Sequence, residues 1–298
     1  MNSASPNIAP KDPTAGCRPV EPFKKQLLKW VGNKQRYAHE IISFFPSNFA
    51  MYHEPFLGSG AVMATLAPQH ARGADAYAPL MEIWTALRQD PQQLIQWYTS
   101  RYEAFTTGAG PEVYARIKAD FNAAPNGADL LFLSRACYGG VVRFRKKDGA
   151  MSTPCGVHPP MTPRIFRKRV DMWAQRMSGA TFAHADFRES MRQAQAGDLI
   201  YCDPPYSNTQ SILYGAQRFR LGDLFDEIRV CKARGVRVAL SLDGSKKSGA
   251  RDCTVDVPCG LFAREEAVDL GRSMLRRFQM SGRSLENEVV RDRLLLTY

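Results

Sequence analysis

The sequence predicts an α/β chain: a doubly wound, largely parallel sheet interrupted by a mainly helical, basic insert. Three observations predict it. Residues 49–87 run strand ("FAMYHEPF"), glycine turn ("LGSG"), helix ("AVMATLA"), strand ("ARGADA") and helix ("PLMEIWTAL"), the opening of a parallel sheet. Residues 89–179 then carry polar-faced helical patterns near 91–105, 112–122 and 128–137, with little strand signal. Sheet patterns return in "ATFAHADF", "GDLIYCDPPY" and "GVRVALSLDG", and "NEVVRDRLLLTY" reads as a β-hairpin arm that closes the sheet. The expected organisation is a disordered tail over 1–22, a split α/β domain over 23–88 and 180–298, and an insert over 89–179.

Taken in order, residues 1–22 are proline-rich, small and polar, a composition that does not bury a core. They lack the charged start and apolar stretch of a secretory signal. Residues 23–28 lead into "KWVGNK" and a helical "RYAHEIISFF" that Pro46 ends. The first strand–helix turn, "HEPFLGSGAV", places Gly58 and Gly60 where backbone can approach a ligand, although glycine also serves such a turn for purely steric reasons. Asp75 ends the second strand. There a carboxylate accepts hydrogen bonds from ribose hydroxyls in nucleotide-type sites, and there it also caps a helix. Asp186 in "HADF" has the same two readings.

"DLIYCDPPY" is the most informative stretch. An apolar strand ends in Asp203-Pro204-Pro205-Tyr206, and two prolines stiffen the turn. The Asp203 carboxylate and the Pro204 carbonyl are acceptors for the two N–H donors of a planar amine, and Tyr206 offers a stacking face. Two acceptors on those hydrogens return electron density to a delocalised nitrogen and favour its attack on an electrophile.

The chain has 298 residues and a net charge of +11, which points to a polyanionic partner. Two basic clusters carry the excess: Arg143, Arg145, Lys146 and Lys147 in the loop "GGVVRFRKKDGAMSTPCG", and Arg164, Arg167, Lys168 and Arg169 on a helix, interleaved with Phe166 and Trp173. Such clusters neutralise phosphates, and equally decorate a solvated helix face. The seven cysteines (17, 137, 155, 202, 231, 253 and 259) have no zinc spacing, so reduced thiols and no metal are expected. No run approaches the ~18 apolar residues of a membrane span.

"KWVGNK", "EPFLGSG", Asp75, "HADF" and "DPPY", in this order, resemble the motifs of the Dam-type DNA adenine methylases, from about residue 25 onward. "GRSMLRRF" before a last strand resembles the family's ending. The resemblance implies a Rossmann-like class I methyltransferase sheet, S-adenosylmethionine as cofactor and double-stranded DNA as partner. It implies N6 methylation of a flipped adenine by direct displacement, with no metal. Enzymes of this kind can act as monomers, and cytoplasmic action at the nucleoid is the expectation. It also implies roles: Trp30, Lys34, Phe56, Gly58 and Gly60 line the cofactor site, Asp75 takes the ribose, and Asp186 with Phe187 takes the cofactor adenine. Asp203, Pro204, Pro205 and Tyr206 hold the target base, with Asp203 also close to the cofactor. From their charge and place in the loop and helix, Arg135, Tyr138, Arg143, Arg145, Lys146, Lys147, Arg164, Arg167 and Lys168 are expected to contact DNA, with Val142 or Tyr138 plugging the gap left by the base. The recognition loop departs from the family pattern at Ser134, Gly139, Gly140 and Val142. Two rivals share these features: an amino-methyltransferase acting on cytosine N4, RNA or a protein amide, and a DNA-binding module without cofactor.

Overall fold

In the computed structural model the described residues are 19–145, 147–205, 219–242, 255–269 and 291–298. They form seven strands in one sheet: β1 (Tyr52–Glu54), β2 (Ala71–Asp75), β3 (Ala180–His184), β4 (Leu199–Cys202), β5 (Arg237–Leu242), β6 (Arg264–Asp269) and β7 (Arg291–Leu296). The order is β3-β2-β1-β4-β5-β7-β6. The first five are parallel, whereas β7 lies antiparallel between β5 and β6. The doubly wound expectation therefore holds. Chain direction across the sheet reverses between β1 and β4, and ligands bind outside the strand ends at such a switch point.

The central strands are short and buried. β4 is apolar throughout, as a strand covered on both faces must be. β1 carries His53 and Glu54 into the interior, and both find partners. His53 Nε2 lies 2.9 Å from Asp198 Oδ2, and Glu54 Oε2 accepts from Tyr52 OH at 3.1 Å and Met63 N at 3.0 Å. Burial lowers the His53 pKa, so the neutral ring donates Nε2–H to Asp198.

α1 (Ala38–Ser43), α2 (Ala61–Leu66) and α3 (Ala78–Gln89) alternate with the first strands, while α8 (Phe187–Arg192) and α9 (Leu221–Ala233) accompany the later ones. Between β2 and β3, after α3, come α4 (Pro91–Thr107), α5 (Gly110–Ala123), α6 (Gly127–Ala136) and α7 (Pro163–Arg176). α1 to α7 fall on the segments whose periodicity reads as helical, whereas α9 and β6 are elements the sequence reading omits, and α8 enters it only through the N-cap reading of Asp186. α7 is amphipathic: Phe166, Val170 and Trp173 are buried, with Arg164, Arg167 and Lys168 exposed. Phe166 stacks on Tyr98 at 4.1 Å, and Trp173 packs on Trp84 at 5.4 Å. The aromatics read among the basic residues are thus core residues that dock α7, because they fall on the opposite helix face.

Three groups of the insert also bind the segment before "KWVGNK". Trp173 Nε1 donates to the Lys25 carbonyl at 2.6 Å and Arg169 to that of Gln26 at 2.6 Å. Arg135 donates to the Gln26 and Leu27 carbonyls at 3.3 and 2.8 Å. This strap delivers Trp30 and Lys34 to the sheet.

Candidate active site

A cleft of about 570 Å³ opens at the C-terminal ends of β1, β2 and β4, beside the start of α8. Trp30, Lys34, Phe56, Gly58, Asp75, Asp186, Phe187, Asp203 and Pro205, dispersed in sequence, all line it. Its floor is the turn after β1. Pro55 ends the strand, and Gly58 and Gly60 take φ of +47° and +62°, values that a side chain disfavours. Gly58 is held from both sides: its N–H donates to Asp75 Oδ2 at 2.9 Å, and its carbonyl accepts from Trp84 Nε1 at 3.1 Å.

Asp75 also accepts from Tyr77 N at 3.0 Å, so it closes a turn of its own rather than capping α3, whose cap residue is Tyr77. Burial raises its pKa, and the Gly58 and Tyr77 amides oppose the rise. Asp186 does cap α8: it accepts from Arg188 N at 2.9 Å and pairs with the Arg188 guanidinium at 3.1 Å. Next to it, Phe56 and Phe187 stack at 5.2 Å, and Phe219 meets both edge-on at 5.6 and 5.7 Å. The result is a flat apolar wall beside a carboxylate.

At the other end, Asp203 follows β4 and faces Lys34, with Nζ 3.0 Å from Oδ1. The same ammonium lies 3.1 Å from Asp292 Oδ2 on β7. Burial alone would lower the Lys34 pKa, but the Asp203 and Asp292 carboxylates together raise it well above its ordinary value. Lys34 therefore joins the strap to the turn after β4 as well as lining the cleft. Glu54 lines the floor, and burial pushes its pKa well above the usual carboxylate range, with Tyr52 and Met63 opposing.

Some expectations change. Gly60 is behind the loop, where a Cβ would lie 3.0 Å from Met177 Cε and 3.2 Å from Trp84 Cη2. Pro204 is buried beside the cleft. Tyr206 and Lys146 lie outside the described residues, as do 1–18 of the expected tail and "GRSMLRRF". Arg135 turns inward to the strap and is not presented as a DNA contact. Val142 is fully buried and cannot plug a base gap, whereas Tyr138 is 42% exposed. The loop carrying Tyr138 stands at the cleft mouth. Phe144 packs edge-on to the cleft residue Tyr77 at 5.7 Å, and a Cβ on Gly140 would strike the Lys29 side chain beside Trp30. Arg143, Arg145 and Lys147 on this loop are exposed, as are Arg164, Arg167 and Lys168 on α7. Arg145 is paired with Asp148 at 2.7 Å, and Arg167 with Gln92 at 2.8 Å. Among the described residues no group of His, Cys, Asp and Glu could hold a metal, and no helix is long and apolar enough to cross a membrane.

Glu54, Tyr77, Tyr201, Phe219 and Asp292 are site residues that sequence reasoning missed. Glu54 had a signal, an acid directly before Pro55-Phe56. Asp292, between two arginines in an apolar strand, had none.

Comparison with known proteins gives one consistent answer. The protein-family model for D12 class N6 adenine-specific DNA methyltransferases matches residues 30–226. The chain is 33% identical over 193 residues to the retron Ec67 DNA adenine methylase of Escherichia coli, covering 62% of this chain and 65% of that protein. It is 29% identical over 237 residues to a DNA adenine methylase of Vibrio cholerae, covering 74% and 82%. It is 25% identical over 242 residues to the type II methyltransferase M1.LlaDCHI of Lactococcus lactis, again covering 74% and 82%.

Proposed function

From the premise that the chain belongs to the D12 class N6 adenine-specific DNA methyltransferase family, we propose that it transfers the methyl group of S-adenosylmethionine to the exocyclic amine of an adenine flipped out of duplex DNA. One observation carries the reading. At the switch point of the sheet, a single cleft joins an aromatic and carboxylate pocket (Phe56, Phe187, Asp75, Asp186) to an acid on a proline-stiffened turn (Asp203).

The cleft residues fit the cofactor by chemistry. The Phe56–Phe187 wall beside Asp186 suits an adenine ring and its amine. Asp75 suits ribose hydroxyls while bracing the loop that the ligand would lie on. A Cβ on Gly58 would sit 3.4 Å from the Trp30 ring, so Trp30 closes over bare backbone. Glu54 and Lys34 bring a carboxyl group and a cation to the methionine end. When bound, the cofactor supplies an activated methyl group on a sulfonium, so the chain needs no nucleophile of its own.

Asp203 and the Pro204 carbonyl accept the N–H groups of the target amine, and Asp203 then faces the positive charge that develops on that nitrogen. Its ion pair with Lys34 fixes it as an oriented carboxylate. Orientation and polarisation come first: the new N–C bond would form as the methyl–sulfonium bond breaks, and the amine would then release a proton that Asp203 is placed to pass to solvent. A base inside a duplex is out of reach, so it must swing into the cleft. Tyr138, exposed on the loop at the cleft mouth, fills the gap in the stack. Arg143, Lys147, Arg164 and Lys168 hold phosphates. The insert over residues 89–179 is the target-recognition unit.

Purified protein and S-adenosylmethionine are to be incubated with unmethylated genomic DNA, and modified bases mapped by single-molecule sequencing. N6-methyladenine in one short motif is expected, with the Asp203→Ala variant inactive but folded. Methylcytosine, or product on RNA alone, would overturn the reading.

A further inference from the structure

The Lys34 ammonium is shared. Asp203 Oδ1 is 3.0 Å away on one side and Asp292 Oδ2 is 3.1 Å away on the other. All three side chains are sequestered, at 7%, 19% and 4% exposure. The position of the ammonium beside Asp203 is therefore set in part by Asp292. That position matters because Asp203 must point at an amine that gains positive charge as it reacts. We propose that Asp292 is a positioning residue for methyl transfer, acting through Lys34 to keep Asp203 oriented toward the target amine. The inference rests on the reaction proposed above.

The fold explains why the anchor sits there. Asp203 is on a turn, but Asp292 is on a strand, in register with Val268 of β6. The ammonium is therefore tethered to regular structure on one side and orients the turn on the other. Lysine offers three N–H donors around one point charge, so it can serve both carboxylates at once. Without Asp292 the ammonium loses its anchor on β7, and the carboxylate aimed at the amine is held less firmly.

The test uses the full chain. The Asp292→Asn variant keeps shape and removes charge. Its kcat on duplex DNA is expected to fall roughly 10- to 100-fold, the size of effect produced when a reacting group is slightly misplaced. The KM for DNA is expected to stay within about twofold. Asp292→Glu is expected to recover most of the rate. In a Lys34→Met background, Asp292→Asn should cost no further activity, because the connection is already cut. A kcat for Asp292→Asn equal to wild type would overturn the inference. So would a loss that merely follows the unfolded fraction and vanishes on cooling, or independent, additive losses in the double variant. If Asp292→Asn alone is too unstable to assay, Asp292→Ser is measured in its place, and a kcat equal to wild type overturns the inference in the same way. The wild-type arm separates the two ideas: no N6-methyladenine from wild type sinks the proposed reaction, whereas an active wild type matched by Asp292→Asn sinks only the role of Asp292.

Discussion

Replacing Asp75 with asparagine separates the two tasks assigned to that carboxylate. Its oxygens take one amide each, Gly58 at 2.9 Å and Tyr77 at 3.0 Å. Asparagine has one carbonyl oxygen, so its NH2 must face one of those N–H groups. A buried donor left without an acceptor costs about 1–3 kcal/mol. The proposed ribose contact changes as well, from a charged acceptor to a neutral one, and hydrogen bonds to charged groups contribute about 1.5–3 kcal/mol. Since 1.4 kcal/mol is about tenfold in affinity, the cofactor Kd should rise roughly 10- to 100-fold. Melting should fall by a few degrees only, since a chain this long loses about 2–4 °C per kcal/mol. Titration calorimetry with S-adenosylmethionine gives the first number, and thermal unfolding without ligand gives the second. A lower melting temperature with wild-type affinity would leave Asp75 as a loop brace alone. No change in either quantity would refute the hydrogen-bond argument itself.

Three further outcomes are expected. Glu54→Gln tests burial of a carboxyl. Its folded pKa is raised well above the ordinary 4.5 of a glutamate, so its contribution is fully present below that value and is lost as pH climbs through the raised pKa. Melting curves from pH 5 to pH 8 should show Glu54→Gln gaining on wild type as pH rises, and a constant difference would contradict the assignment. Gly60→Ala forces a side chain into φ +62°, at a cost of roughly 1–2 kcal/mol, and adds contact with Trp84. Melting should drop by several degrees, and an unchanged curve would show that the turn adapts. Substituting Lys147, Arg164 and Lys168 by alanine should reduce the salt dependence of DNA binding by about one unit of log–log slope per residue. Arg145→Ala should change it less, because Asp148 already holds that guanidinium at 2.7 Å. Equal slopes for all variants would remove these residues from the phosphate contacts.

Much of this was legible in the sequence because the signals are local. "EPFLGSG" fixes a strand end and a tight turn, and "DLIYCDPP" fixes another. The alternation around them predicts a parallel sheet, and residues at its strand ends, Asp75, Phe56 and Asp203 among them, meet at one edge. What stayed hidden depends on direction and on long-range contact. Arg135 reads as one more cation, and only the packed α6 reveals that it points to the Gln26 and Leu27 carbonyls. Phe166 and Trp173 read as aromatics among basic residues, although the 3.6-residue period puts them on the other face. Val142 looks available in a loop and is buried. Asp292 gains meaning only when β7 enters the sheet.

That entry has a consequence in time. β7 lies between β5 and β6, and the pairing of Lys34 with Asp292 joins the strap to the antiparallel edge of the sheet. Contacts so distant along the chain close late, because the intervening segment must lose its freedom before they repay it. During refolding, helix signal and parallel pairing should recover first, and methyl transfer last. A refolding chain would thus pass through a stage that captures cofactor but turns over slowly, and the lag between the two recoveries would time the arrival of β7.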